Sequence, residues 1–226
     1  MMELRAEKIS RDFLRYSAKD GYFTAVAETD FTLAAGTLTA VMGRSGSGKS
    51  TLLHILGGLM KPVTGRVLLD ETDIYALGEA ERDALRRCHI GIAPQRLMSL
   101  AALTVRENIL LPALLTGQEE AAAVRADVLM ERLGIRKLAS VAPSELSGGE
   151  LRRVTIARAL VMQPEILLAD EPTGDLDEEN THSVLRLLRE TADAGTAVLL
   201  VTHEREAEAY ADAAYTMTAG KLDKIA

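Results

Sequence analysis

Gly43-Arg44-Ser45-Gly46-Ser47-Gly48-Lys49-Ser50 decides how the rest of this chain is read. The stretch fits the pattern G-x-x-x-x-G-K-[ST], and its spacing has a chemical reason. Glycines let the backbone wrap a phosphate with its N–H groups turned inward. A helix opening near Gly48 aims the positive end of its dipole at the anion. Lys49 then reaches the β- and γ-phosphates as a point charge, and Ser50 places a hydroxyl on Mg²⁺. Thr51 is counted with the loop. The flanks agree: an apolar strand at 38–42 precedes the loop, and an amphipathic helix carrying Leu52, Leu53, Ile55 and Leu56 follows it. ATP with Mg²⁺ is the expected ligand, and its hydrolysis the expected reaction.

Outward from the loop, short apolar runs alternate with longer helical patterns. Strands are predicted at 38–42, 66–69, 89–93, 166–169 and 197–201. Helices are predicted at 49–59, 79–87, 119–133, 150–162 and 179–194. Buried strands between helices imply an α/β fold with a mainly parallel sheet. Pro164 closes the helix that follows Gly149, because proline cannot continue it. Gly195 stands where a helix C-cap glycine would. The stretch 96–150 reads as mostly helical, with Pro112, Gly117 and Pro143 as punctuation. It is expected to be a helical subdomain inserted into a single domain spanning 1–226.

Two further strands end in polar residues suited to the same chemistry. Ile166-Leu167-Leu168-Ala169-Asp170-Glu171 runs into a pair of acids. At the C-terminal edge of a parallel sheet, where α/β ligands bind, Asp170 is placed to hold magnesium and Glu171 to orient and deprotonate a water. The strand at 197–201 ends in Thr202-His203, which puts an imidazole within reach of a γ-phosphate. His54, His89 and His182 have no such context and are read as structural. No His/Cys spacing suggests a zinc site.

Composition narrows the partners. The net charge of −7 and the lack of a long basic run argue against nucleic acid. A single cysteine, Cys88, rules out an internal disulfide and points to a reducing cytoplasm. The N-terminus lacks the apolar core of a signal peptide. No apolar run approaches the ~20 residues needed to span a bilayer, so any membrane span must come from another chain.

Leu146-Ser147-Gly148-Gly149-Glu150 opens a helix, with Ser147 as a plausible N-cap beside exposed backbone donors. This string, lying between the phosphate loop and Asp170-Glu171, resembles the signature motif of ATP-binding cassette (ABC) ATPases. The motif order matches along nearly the whole chain: Walker A at Gly43 to Ser50, a Q-loop at Gln95, the signature at Leu146 to Glu150, Walker B ending in Asp170-Glu171, a D-loop at Gly174-Asp175-Leu176-Asp177, and a switch histidine at His203. The fold this resemblance implies is a P-loop NTPase core with a mainly parallel sheet, an N-terminal antiparallel β region and an inserted helical subdomain.

The resemblance also implies a composite site in a head-to-tail homodimer. ATP would lie between the Walker A loop of one copy and the Ser147, Gly148, Gly149 and Glu150 segment of the other. Gln95 would reach the Mg²⁺ and the water, and Asp177 would support the cross-dimer geometry. Tyr16 fits the position of the adenine-stacking aromatic, with Phe13 and Tyr22 as alternatives. One departure stands at Leu151, where the family usually has a glutamine that helps contact nucleotide across the dimer. The segments Leu103-Thr104-Val105-Arg106-Glu107-Asn108-Ile109 and Leu168-Ala169-Asp170-Glu171-Pro172-Thr173-Gly174 resemble the lipoprotein-release, macrolide-export and antimicrobial-peptide-resistance cassettes. The resemblance therefore implies an ATPase subunit, peripheral on the cytoplasmic face of the membrane, that works with a separate permease in export or in mechanical work on the envelope. A soluble single-cassette ATPase serving an assembly process is the competing reading. A nucleotide sensor without hydrolysis is disfavoured by the presence of Lys49, Asp170, Glu171 and His203.

Overall fold

The computed structural model describes residues 2–14 and 21–225, so Tyr16 lies outside the described residues. The chain opens with β1 (Leu4–Leu14) and β2 (Tyr22–Leu33), then β3 (Leu38–Met42), α1 (Lys49–Leu56), β4 (Thr64–Leu69) and β5 (Thr72–Asp73). It continues through α2 (Glu79–His89), β6 (Ile90–Ala93), α3 (Val105–Leu114), α4 (Glu119–Arg132), α5 (Gly148–Leu160) and β7 (Ile166–Asp170). It closes with α6 (Glu178–Asp193), β8 (Ala197–Thr202), β9 (Ala213–Thr218) and β10 (Lys221–Lys224).

These strands form two sheets. One is antiparallel, in the order β2-β1-β4-β5; the other runs β10-β9-β3-β8-β7-β6 and is parallel except for its β10–β9 edge. The period of two along each central strand divides the interior. Leu167, Ala169, Val198 and Leu200 face the core shared with α3, α4, α5 and α6. Ile166, Leu168, Ala197, Leu199 and Val201 face a second core, closed by α1 and the antiparallel sheet. Both faces of β7 and β8 are buried, which is why these strands read as unbroken apolar runs. Helix α1 is packed into that second core with Leu52, Leu53, Ile55 and Leu56 all fully buried.

Several boundaries differ from the sequence reading for identifiable reasons. Helix α1 stops at Leu56 rather than 59, because Gly58 turns left-handed at φ +68° and its amide and that of Leu59 bond back to the Ile55 and His54 carbonyls. His89 ends α2 instead of starting β6, with Ile90 as the extended C-cap. Helix α3 was not among the predicted helices. Pro112 sits in its last turn, where it can donate no bond to the Asn108 carbonyl, and Thr104 caps the start of the helix by accepting from the Glu107 amide. The Glu107 carboxylate in turn accepts from the Thr104 amide, and these bonds hold its pKa below the ordinary carboxylate range. Asn108, fully buried one turn into α3, donates to three backbone carbonyls, at Leu100, Leu103 and Thr104, and so pins the loop that leads from Gln95.

Candidate active site

Parallel register brings four loops to one edge of the larger sheet. Met42 pairs with Thr202, Asp170 with Val201, and Ala93 with Ala169, so the residues that follow β3, β8, β7 and β6 leave the sheet side by side. The backbone stitches these exits together: the Gly43 amide donates to the Thr202 carbonyl at 3.2 Å and the Glu171 amide to the Val201 carbonyl at 2.8 Å. Arg44 to Thr51, Gln95, Glu171 and His203 thereby line a single cleft of about 620 Å³.

The floor of this cleft is the loop between β3 and α1. Gly46 and Gly48 have φ of +78° and +113°, which side-chain-bearing residues rarely adopt. At Gly48 an added Cβ would stand 1.9 Å from the Ala25 carbonyl oxygen, whereas at Gly46 it would meet nothing within 4 Å. The two glycines therefore differ in what they permit. Gly48→Ala is expected to weaken ATP binding by at least about tenfold, a loss of ~1.4 kcal/mol or more, with Gly46→Ala closer to the parent. Titration with a fluorescent ATP analogue checks this, and equal losses in the two variants would contradict it.

Lys49 is buried, and its ammonium donates to the carbonyls of Gly43 at 2.7 Å and Arg44 at 3.3 Å. It also lies 3.6 Å from Glu171 Oε1. The other Glu171 oxygen meets His203 Nδ1 at 2.9 Å and the His203 amide at 3.3 Å. Glu171 is thus held between a cation and an imidazole, on a backbone bent to φ +49°. Such a carboxylate is fixed in direction, and its imidazole neighbour is 63% exposed at the mouth of the site.

Asp170 is buried, and its Oδ1 accepts no hydrogen bond. Burial pushes its pKa up, while the hydroxyl of Ser50 pulls the other way. Asp170, Ser50 and Gln95 line one groove next to the phosphate loop. A hydroxyl and an unpartnered carboxylate oxygen are hard donors of the type magnesium takes, with phosphate and water completing the shell. The residues fit that ion. No cluster of three His, Cys, Asp or Glu able to hold a metal ion occurs among the described residues.

A family described as ABC transporter matches residues 26–174. The lipoprotein-releasing system ATP-binding protein LolD of Shewanella sp. (strain MR-7) is 40% identical over 227 residues, covering 99% of this chain and 96% of that protein. The chain belongs to the ABC transporter family. It is an ATP-binding, ATP-hydrolysing subunit of that class. The macrolide export ATP-binding/permease protein MacB of Bartonella henselae is 38% identical over 209 residues, which cover 92% of this chain but 32% of MacB. Among solved structures, a dimeric post-hydrolysis state of the ATP-binding cassette MJ0796 bound to ADP and Pi superposes with a TM-score of 0.88, at 28% identity and 99% coverage of both chains.

The remaining residues that the sequence of this ABC ATPase suggested for the site lie apart from the cleft. Ser147 caps α5: its Oγ accepts from the Glu150 amide at 3.3 Å and donates to Glu150 Oε2 at 2.7 Å. The amides of Gly148 and Gly149 stand at the open end of that helix. An added Cβ at Gly149 would sit 3.1 Å from Leu176, so the signature turn packs directly on the D-loop of its own chain. Asp177 caps α6 through the Asn180 amide at 2.8 Å. Ser147, Gly148, Gly149, Glu150 and Asp177 do not line the phosphate-loop cleft of the same chain.

Of the stacking candidates, Phe13 lines the cleft, while Tyr22 is exposed and does not. Phe23, which the sequence reading missed, lines it too and pairs with Phe13 across the β1–β2 ladder. The guanidinium of Arg11 covers the Phe13 ring at 5.0 Å. The signal for Phe23 was only its place opposite Phe13, which emerges once the hairpin register is known. Arg152 was missed as well; it is buried on α5, and its Nη1 donates to the Gln95 carbonyl at 2.8 Å.

Proposed function

We propose that this chain works as an ATP-gated homodimer that drives a separate membrane permease. The observation that carries this reading is a division within the chain. Lys49, Gln95, Glu171 and His203 converge on one cleft, while Ser147 to Glu150 present a capped helix end outside it. A second copy supplies that helix end to the opposite face of the nucleotide. Two Walker A loops and two signatures then enclose two ATP molecules.

Within each site, the amides of the loop from Gly43 to Ser50 and the Lys49 ammonium hold the β- and γ-phosphates. Ser50, Asp170 and Gln95 would hold Mg²⁺, which would supply positive charge against the phosphoryl oxygens. Glu171 orients the attacking water and takes its proton, and His203 keeps the Glu171 carboxylate aimed while bonding the γ-phosphate. Ser147 and the Gly149 amide close the γ-phosphate from the partner copy. Phe13, paired with Phe23, supplies an aromatic face for adenine. Positioning and charge stabilisation are enough for this cleavage, since no covalent intermediate is required. Loss of the γ-phosphate removes the bridge between copies and reopens the dimer.

The region 96–150 acts as a helical subdomain that receives the permease. The groove that holds Ser50, Gln95 and Asp170 continues along this region past Arg96, the exposed Met98 and Leu100, and Arg158. No helix among the described residues is long and apolar enough to cross a membrane. Relatives named for lipoprotein release and macrolide export favour export or mechanical work on the envelope. Affinity capture from solubilised membranes tests the reading. An integral membrane protein is expected to co-purify with the tagged chain, and recovery of a soluble partner alone would overturn it.

A further inference from the structure

We propose that Arg152 is a positioning residue that ties the Q-loop and the D-loop turn to the signature helix, so that closure of one ATP site is felt in the other. The inference rests on the dimeric reading above. Arg152 lies on α5, one turn from the Ser147 cap, and is 5% exposed. Burying a guanidinium is costly unless its donors are used. Here Nη1 donates to the Gln95 carbonyl at 2.8 Å, Nη2 lies 3.8 Å from the Asp175 carboxylate as an ion pair without a hydrogen bond, and the buried Nε has no partner among the described residues. The same Nη2 stands 3.5 Å from where a Cβ on Gly174 would be. One rigid fork therefore spans two loops that the sequence places far apart.

Both loops lead to the chemistry. Gln95 lines the phosphate-loop cleft, and its carbonyl is held by Arg152. Asp175 sits in a left-handed backbone conformation at φ +64°, in the turn that follows Glu171. That turn is also braced from α5 by Gly149, whose hydrogen side faces Leu176 and the Asp175 carbonyl at 3.1 and 3.3 Å from an added Cβ. A second strut runs parallel: Arg153 donates to Asn180, whose side-chain amide donates to Asp177. Movement of α5 when Ser147 meets a partner's phosphate is thus passed through Arg152 to Gln95 and to the turn beyond Glu171. Burial pulls the Arg152 pKa below the usual arginine value, and the carboxylates of Asp175, Asp170 and Glu171 oppose it.

A double-mutant cycle tests this. Arg152→Met is expected to keep ATP affinity within about threefold, to lower turnover by about tenfold or more, and to bring the Hill coefficient for ATP toward one. Asp175, 76% exposed, tolerates Asp175→Asn without risk to folding and is expected to lower turnover as well. In the double variant the second change is expected to add less than about twofold, because both act through one link. Arg152→Lys, which keeps the charge and loses the fork, is expected to fall between parent and Arg152→Met, and carries the test with Asp175→Asn if Arg152→Met does not fold. Turnover and cooperativity of Arg152→Met close to the parent, or two effects that simply multiply, would overturn the inference. Gel filtration of the same variants carrying Glu171→Gln separates the two levels. A dimer with normal turnover in the parent background defeats the Arg152 link alone, whereas a chain that never dimerises with ATP defeats the dimeric reading and this inference with it.

Discussion

Glu171→Gln is expected to bind ATP with near-parental affinity and to turn over about 10²–10⁴-fold more slowly, the range general-base assistance usually supplies. The amide keeps the shape of the carboxylate and the bond to the Val201 carbonyl, since that bond comes from the backbone. What it loses is the capacity to take a proton and the charge that faces Lys49 at 3.6 Å and His203 at 2.9 Å. Removing a negative charge from beside the phosphates also leaves the triphosphate better tolerated, so the closed dimer is expected to accumulate. Gel filtration with Mg-ATP and a phosphate-release assay read both effects. A variant that remains monomeric while hydrolysing at the parental rate would remove Glu171 from the mechanism.

Lys49→Ala is expected to act one step earlier, on binding. The ammonium is 6% exposed and serves two loop carbonyls as well as Glu171. Truncating one partner of a buried charged pair typically costs about 2–5 kcal/mol. For ATP that corresponds to an affinity loss of roughly thirtyfold to a few thousandfold. Turnover falls with it, because the same group supports the γ-phosphate. Calorimetric titration gives the affinity, and a thermal midpoint measured alongside separates a weakened site from a weakened fold. Binding and hydrolysis within about twofold of the parent would contradict a phosphate role for Lys49.

The contrast between the two sheets explains how much of the fold could be read in advance. The predicted strands of the parallel sheet are buried on both faces, and such strands advertise themselves as continuous apolar runs. Strand β1 carries Arg5, Glu7, Lys8, Arg11 and Asp12 and has register shifts after Ala6 and Ile9, so its alternation is broken. Its neighbour β2 is similarly charged on one side. An antiparallel region followed from the family resemblance, while its individual strands did not follow from periodicity. Helix α3 escaped because its residues are apolar nearly all round and include Pro112.

The candidate site divides along the same line. The phosphate loop, Asp170-Glu171 and His203 were legible because each is a short local string at the end of a strand. Arg152 and Phe23 matter through partners far away in sequence, Gln95 and Asp175 for the one and Phe13 for the other, and no local pattern announces such pairs. Leu151, noted from the sequence as a departure, is half-buried in the first turn of α5, and its carbonyl accepts from Thr155 at 3.0 Å.

Helix α1 lies in the core between the parallel sheet and the antiparallel one, with four leucine and isoleucine side chains fully buried. Its first residue is Lys49, the lysine proposed to hold the phosphates. The same turn of chain is therefore both keystone and gripping hand, and heredity cannot adjust one without disturbing the other. A change at Leu52 or Ile55 is judged twice, as a flaw in folding and as a flaw in holding ATP. Freedom to vary lies instead on surfaces such as the outer side of α4, where Val124 and Val128 are exposed and far from that double scrutiny.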